Sequence, residues 1–204
     1  MLHKITRKLF ANKYQYKIVL ACAGSSLFRS RNLNDVYESL ASIKIDSPVR
    51  GHIKTQDDLD YAFKLCTALA KIIDADIRVE SPWITIYTNS KKDVTNLANL
   101  DQDKVKYICV PPANSVLSPD TIIMPKIDYE YRVTLGKTTQ SYGAFIGWAS
   151  TNKKLKLTKS CAKDLANPRS WGGTYFYISG DNNLLMAKMH LGGAINKVER
   201  IVKD

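Results

Sequence analysis

The chain has 204 residues, 45% hydrophobic and 24% charged, with ten glycines and seven prolines; this balance excludes a disordered or collagen-like polypeptide and suffices to bury a core. Thirty Lys and Arg against 19 Asp and Glu leave a formal net charge of +11, which speaks of an anionic partner rather than of any fold. The longest apolar stretches, such as Ile18 to Ala23, have strand length and fall short of the roughly 18 residues a membrane-spanning helix needs, so no membrane association is expected.

No acidic residue precedes Asp35, whereas Lys4, Arg7, Lys8, Lys13, Lys17, Arg29 and Arg31 do. Organelle transit peptides share this bias, but the stretch runs straight into a strand-like Tyr14–Leu20, so a retained basic N-terminal arm over 1–12 is expected. Leu2, Ile5, Leu9 and Phe10 have the spacing of one face of a short helix there, able to dock or to reach an anion. Alternating or β-branched runs then predict strands over 14–22, 77–80, 83–88 and 104–110. Helices are predicted over 33–42, 55–73 and 91–99. The second carries an N-cap candidate in Thr55, Asp57 and Asp58 in its first turn, and an apolar stripe of Leu59, Phe63, Cys66, Leu69, Ala70 and Ile73.

Pro111, Pro112, Ser115, Ser118, Pro119 and Pro125 mark a connector over 111–127, with a boundary near residue 120. Beyond it, strands are predicted at 129–136, 174–179 and 195–202, and helices near 143–150, 158–166 and 182–191. Residues 13–20 match 128–135, keeping two tyrosines, a basic residue, a β-branched residue and a leucine. A second match sets 86–89 and 104–109 against 177–180 and 197–202. The expectation is therefore an α+β chain of two related ferredoxin-like (split β-α-β) halves, 13–110 and 128–204, each a small mostly antiparallel sheet with helices on one face.

Pairs of tyrosines two residues apart, Tyr14 and Tyr16, Tyr129 and Tyr131, Tyr175 and Tyr177, fall on three predicted strands, where period two puts both rings of a pair on one face. On a helix-free face they would form a platform for stacking bases, with Lys17 and Arg132 beside them for phosphates. The plainer alternative is cross-strand tyrosine packing without function. Lys153, Lys154, Lys156, Lys159 and Lys163 form the densest positive run, while acidic residues gather between 55 and 80, so the charge should be uneven. Arg29 and Arg31 follow Gly24-Ser25-Ser26, a loop whose N–H groups suit a phosphate but which lacks a Walker lysine. Ser170-Trp171-Gly172-Gly173 reads as a turn before a strand rather than as a substrate loop.

The four cysteines form no C-x-x-C pair, which favours buried free thiols in a reducing, cytoplasm-like compartment over a disulfide or metal site. The histidines His3, His52 and His190 share no metal spacing and no catalytic motif is present, so neither a cofactor nor a metal is expected. The leading functional reading is a non-catalytic module binding single-stranded or structured RNA or DNA through these tyrosines and cations. A structural or assembly subunit, viral in one version and so in the host cytoplasm, with a protein partner or a second copy, is the alternative. A small metal-independent nuclease using His190 or His52 as base and Lys188 or Arg29 as phosphorane stabiliser comes third.

Overall fold

The computed structural model describes residues 2–30, 32–45, 53–113, 117–168 and 171–203. The chain divides into two compact units that meet at Pro119 and Asp120. Both mix helices with one five-stranded sheet.

In the first unit the elements run β1 (His3–Ile5), β2 (Tyr16–Ala21), α1 (Leu33–Ala41), α2 (Gln56–Leu69), β3 (Ala75–Glu80), β4 (Trp83–Thr88), α3 (Lys91–Ala98) and β5 (Val105–Val110). The sheet order is β1-β5-β2-β4-β3, antiparallel throughout except for β1 beside β5. Each helix starts where a side chain caps it. Asn32 accepts from the Asn34 N–H, Thr55 from Asp58 and Ser90 from Asp93, satisfying donors that the first turn cannot use. Ile18, Leu20, Ile84, Ile86 and Ile108 of the strands meet Leu40, Leu65, Leu97 and Val94 of the helices in one core.

The second unit runs β6 (Thr121–Ile123), β7 (Tyr131–Leu135), α4 (Gly143–Thr151), β8 (Leu155–Leu157), α5 (Lys159–Ala166), β9 (Tyr175–Ile178), α6 (Asp181–Leu191) and β10 (Ile195–Val202). Its sheet order is β6-β10-β7-β9-β8, with β6 and β10 parallel and the other pairs antiparallel. Val133, Leu135, Phe176 and Ile178 face Phe145, Cys161, Leu165, Leu184 and Leu191 from the helices. Thr158 caps α5 through the Cys161 N–H and donates at 2.7 Å to the Tyr175 carbonyl, which ties that helix to β9.

Three expectations are corrected. Residues 3–5 are a strand, not part of a helical arm: a helix this short is marginal alone, whereas pairing with β5 engages its backbone. Within the 111–127 connector residues 121–123 form a strand that was not expected there, pairing with β10. The helix read over 55–73 ends at Leu69, and Ile73 lies fully exposed beyond it. The short strand β8, inside the lysine run, had no periodicity long enough to be read.

Among the described residues no helix is long and apolar enough to cross a membrane. The turn reading of 171–173 fits a backbone crossing: a Cβ on Gly172 would lie 2.6 Å from the Gly136 Cα, and the Gly173 N–H donates to the Leu135 carbonyl. Gly172→Ala should therefore cost the second unit about 1–3 kcal/mol in urea unfolding, while Gly193→Ala, whose Cβ meets nothing within 4 Å, should leave it unchanged.

Candidate functional site

Helices cover one face of each sheet, and the residues that alternate with the core face look the other way. On β9, Phe176 and Ile178 enter the core under the helices while Tyr175 and Tyr177 point to the opposite face. Cross-strand partners share a face, so Arg132 of β7, Glu199 of β10 and Lys156 of β8 join Tyr177 there. Met124, Ile127 and Tyr129 pack on Ile122, Tyr177 and Ile201 and close part of this surface. The Tyr129 and Tyr177 rings stack with centres 5.9 Å apart, and Tyr175 meets Tyr177 edge-on at 5.5 Å. The Arg132 guanidinium sits 4.7 Å from the centre of the Tyr175 ring. Its Nε lies 3.4 Å from Glu199 Oε2, and Lys197 Nζ lies 3.2 Å from Glu199 Oε1, so two cations flank a carboxylate with no solvent exposure. Burial, then the hydrogen bond with Tyr175, pushes the Tyr177 phenol above its ordinary range.

The equivalent face of the first unit carries Lys17 of β2, opposite Tyr87 and Cys109, and Lys4 of β1, also opposite Cys109. Tyr107 lies beneath two ammonium groups, Lys4 at 4.1 Å and Lys17 at 5.0 Å from the ring centre. Lys106 is the extra residue where the register of β5 against β2 shifts, and its ammonium stands 4.0 Å from the Trp83 ring. Phe10 and Tyr14 pack on Tyr87, at 5.6 and 6.4 Å between centres.

The six tyrosines read from the sequence are not one platform. Tyr14 is buried, and Tyr16 packs into the helix-side core. Tyr131 also faces the helices and donates from its hydroxyl to Asp181 Oδ1 at 2.5 Å, at the first turn of α6. Tyr14 and Tyr129 precede strands that begin at 16 and 131, so period two does not govern them. Tyr175 and Tyr177 do share the helix-free face, but Tyr177 is 7% exposed and Tyr175 is half-buried under Arg132. Lys153, Lys154, Lys156, Lys159 and Lys163 are all exposed, arrayed around the outer strand β8 and along α5 rather than on one face. Charges on a sheet edge discourage unwanted pairing.

Arg29 ends a 3-10 turn over Ser25–Arg29, where the N–H groups of Ser25 and Leu27 already donate to the Cys22 and Gly24 carbonyls. Arg31, His52 and Ser170 lie outside the described residues. His3 is exposed on β1, and His190 stacks on Trp148 with centres 5.5 Å apart. Lys106, Tyr107, Trp83 and Tyr87 were not singled out in the sequence. Tyr87 and Tyr107 sit in predicted strands, but which face they take depends on the register, and the shift at Lys106 has no local signature.

Among the described residues no group of three His, Cys, Asp or Glu is placed to hold a metal ion. All four cysteines are buried and unpaired. Burial pushes the Cys22 thiol up to about 11 and the Cys161 thiol up to about 12, which leaves little thiolate near neutral pH. The folded chain should thus resist an aromatic disulfide reagent at neutral pH and yield four thiols on denaturation. Because folding raises Cys22 above its value of 9.0, the unfolded chain ionises first. Its contribution is whole below pH 9.0 and declines up to about 11, so Cys22→Ala should flatten that part of the alkaline stability curve. Removing the carboxylate between Arg132 and Lys197 with Glu199→Ala should lower the unfolding free energy of the second unit by about 3 kcal/mol in denaturant titration. Compared with known proteins, the chain matches no family model, no curated protein and no solved structure.

Proposed function

We propose that the chain is a non-catalytic nucleic-acid-binding protein made of two copies of one ferredoxin-like, split β-α-β plan, each with an added outer strand. Support for the duplication comes from the pairings. Ile18 lies opposite Ile86 and Ile108, and Val133, which matches it in sequence, lies opposite Phe176 and Val198. Lys17 faces Tyr87 and Cys109, as Arg132 faces Tyr177 and Glu199. These pairings equate β4 with β9 and β5 with β10, but displaced from the residue match drawn on the sequence, by one position for the first pair and three for the second.

The binding reading rests on one observation: cations seated over aromatic rings on the helix-free faces of both sheets, at Tyr107, Trp83 and Tyr175. A base can stack on such a ring while the displaced ammonium or guanidinium neutralises the adjoining phosphate, and every base offers a π-face. The net charge of +11 adds the long-range attraction that steers a polyanion to the surface. Tyr177 supports Tyr175 in this scheme and does not itself stack on a base. Lys156 and Lys197 extend the cationic border of the second face.

The test is fluorescence anisotropy of labelled single-stranded RNA, single-stranded DNA and duplex DNA at two salt concentrations. Expected are single-strand binding that weakens steeply with salt, a loss of about 1–3 kcal/mol on Tyr107→Ala or Tyr175→Ala, and a salt slope smaller by about one on Lys17→Ala or Lys106→Ala. Absent or salt-insensitive binding overturns the proposal. Salt-sensitive binding that ignores both tyrosine variants would move the contact away from these faces.

A further inference from the structure

We propose that the outer edge of β3 is a self-association site at which a second copy of this chain adds its own β3 antiparallel, joining the two sheets into one. This goes beyond nucleic-acid binding and does not depend on it. β3 ends its sheet, and among the described residues no backbone group outside β4 bonds to it. A groove of about 700 Å³ lies beside that edge, lined by residues 75–79 and by Phe10, Ala11, Phe28, Arg29 and Tyr87, with the Ser25–Arg29 turn packed against β3. An unpaired strand edge is a template for another strand.

The side chains of β3 suit a copy of itself. Asp76, Arg78 and Glu80 alternate with Ala75, Ile77 and Val79, the charged set exposed and the apolar set half-buried against the core. A two-fold axis through the sheet brings β3 against itself antiparallel with like faces together. Centred on Ile77, it sets each Asp76 opposite the other copy's Arg78 and each Ala75 opposite Val79. Glu80 then comes opposite Asp74, which already holds Lys13 at 2.6 Å. Centred on Arg78, the same axis sets Arg78 against itself and Asp76 against Glu80, all repulsive; centred on Val79 it pairs Arg78 with Glu80 but overlaps only residues 78–80 of β3, so strand overlap and charge together select the first register. Within one chain Arg78 pairs with Glu80 in the open, a contact worth little and easily exchanged.

Analytical ultracentrifugation of the full chain without nucleic acid, over a wide concentration range, tests this. The wild type should rise from 22.9 kDa toward twice that mass. Asp76→Arg and Arg78→Asp alone should each raise the dimer dissociation constant at least about tenfold. The double variant Asp76→Arg/Arg78→Asp, and an equimolar mixture of the two single variants, should both recover association, because each restores opposite charges across the pair. Both positions are exposed, and unchanged circular dichroism shows that the variants fold. A wild type that stays at 22.9 kDa overturns the proposal and leaves the charges as guards of an unpaired edge. Single variants that associate like the wild type, or a double variant and mixture that both fail to recover, overturn it too.

Discussion

A sheet with helices on one side has a second face whose apolar residues still have to leave water, and in this protein that requirement shapes both units. The first unit answers it with Phe10 and Tyr14 packed on Tyr87, and with lysines whose ammonium groups lie over Tyr107 and Trp83. The second brings Met124, Ile127 and Tyr129 over Tyr177, and puts the buried Glu199 between Arg132 and Lys197. Ring and cation thus meet on both helix-free faces because each needs the other: the ring supplies apolar contact and a negative π-surface, and the cation keeps one end in solvent.

The same constraint fixes where the units are finished and where they are open. β2 and β7 are paired on both sides, and their inward residues Ile18, Leu20 and Val133 have essentially no exposure. β1 and β6, three residues each, close one side of their sheets beside β5 and β10. On the far side, β8 is short and surrounded by lysines, while β3 has six residues with alternating charge and a groove alongside. Two edges with different length and charge pattern invite different behaviour, one repelling a neighbour and one complementary to its own copy.

The four thiols are buried, which pushes those of Cys22 and Cys161 to high pKa, and His190 stacks on Trp148. The helix-free faces carry fixed positive charge beside aromatic rings, at Tyr107, Trp83 and Tyr175.

Most of the elements could be read from residue order alone, because hydrophobic period and capping are local: Thr55, Ser90 and Thr158 open helices at their predicted starts, and the runs at 83–88 and 195–202 are strands. The matching tyrosine strings at 13–20 and 128–135 likewise correspond to β2 and β7. Which tyrosines face solvent was not local. It depended on strands beginning at Tyr16 and Tyr131, and a one-residue shift sends a side chain to the other face. The three-residue strands β1, β6 and β8 exist only because a partner strand supplies their hydrogen bonds, and the lysines over Tyr107 and Trp83 meet their rings through strand pairing and a register shift. Sequence by itself determined the helices, the long strands and the positive charge. Register, edges and the seating of each cation were decided in tertiary structure, because they depend on contacts between residues far apart in the chain.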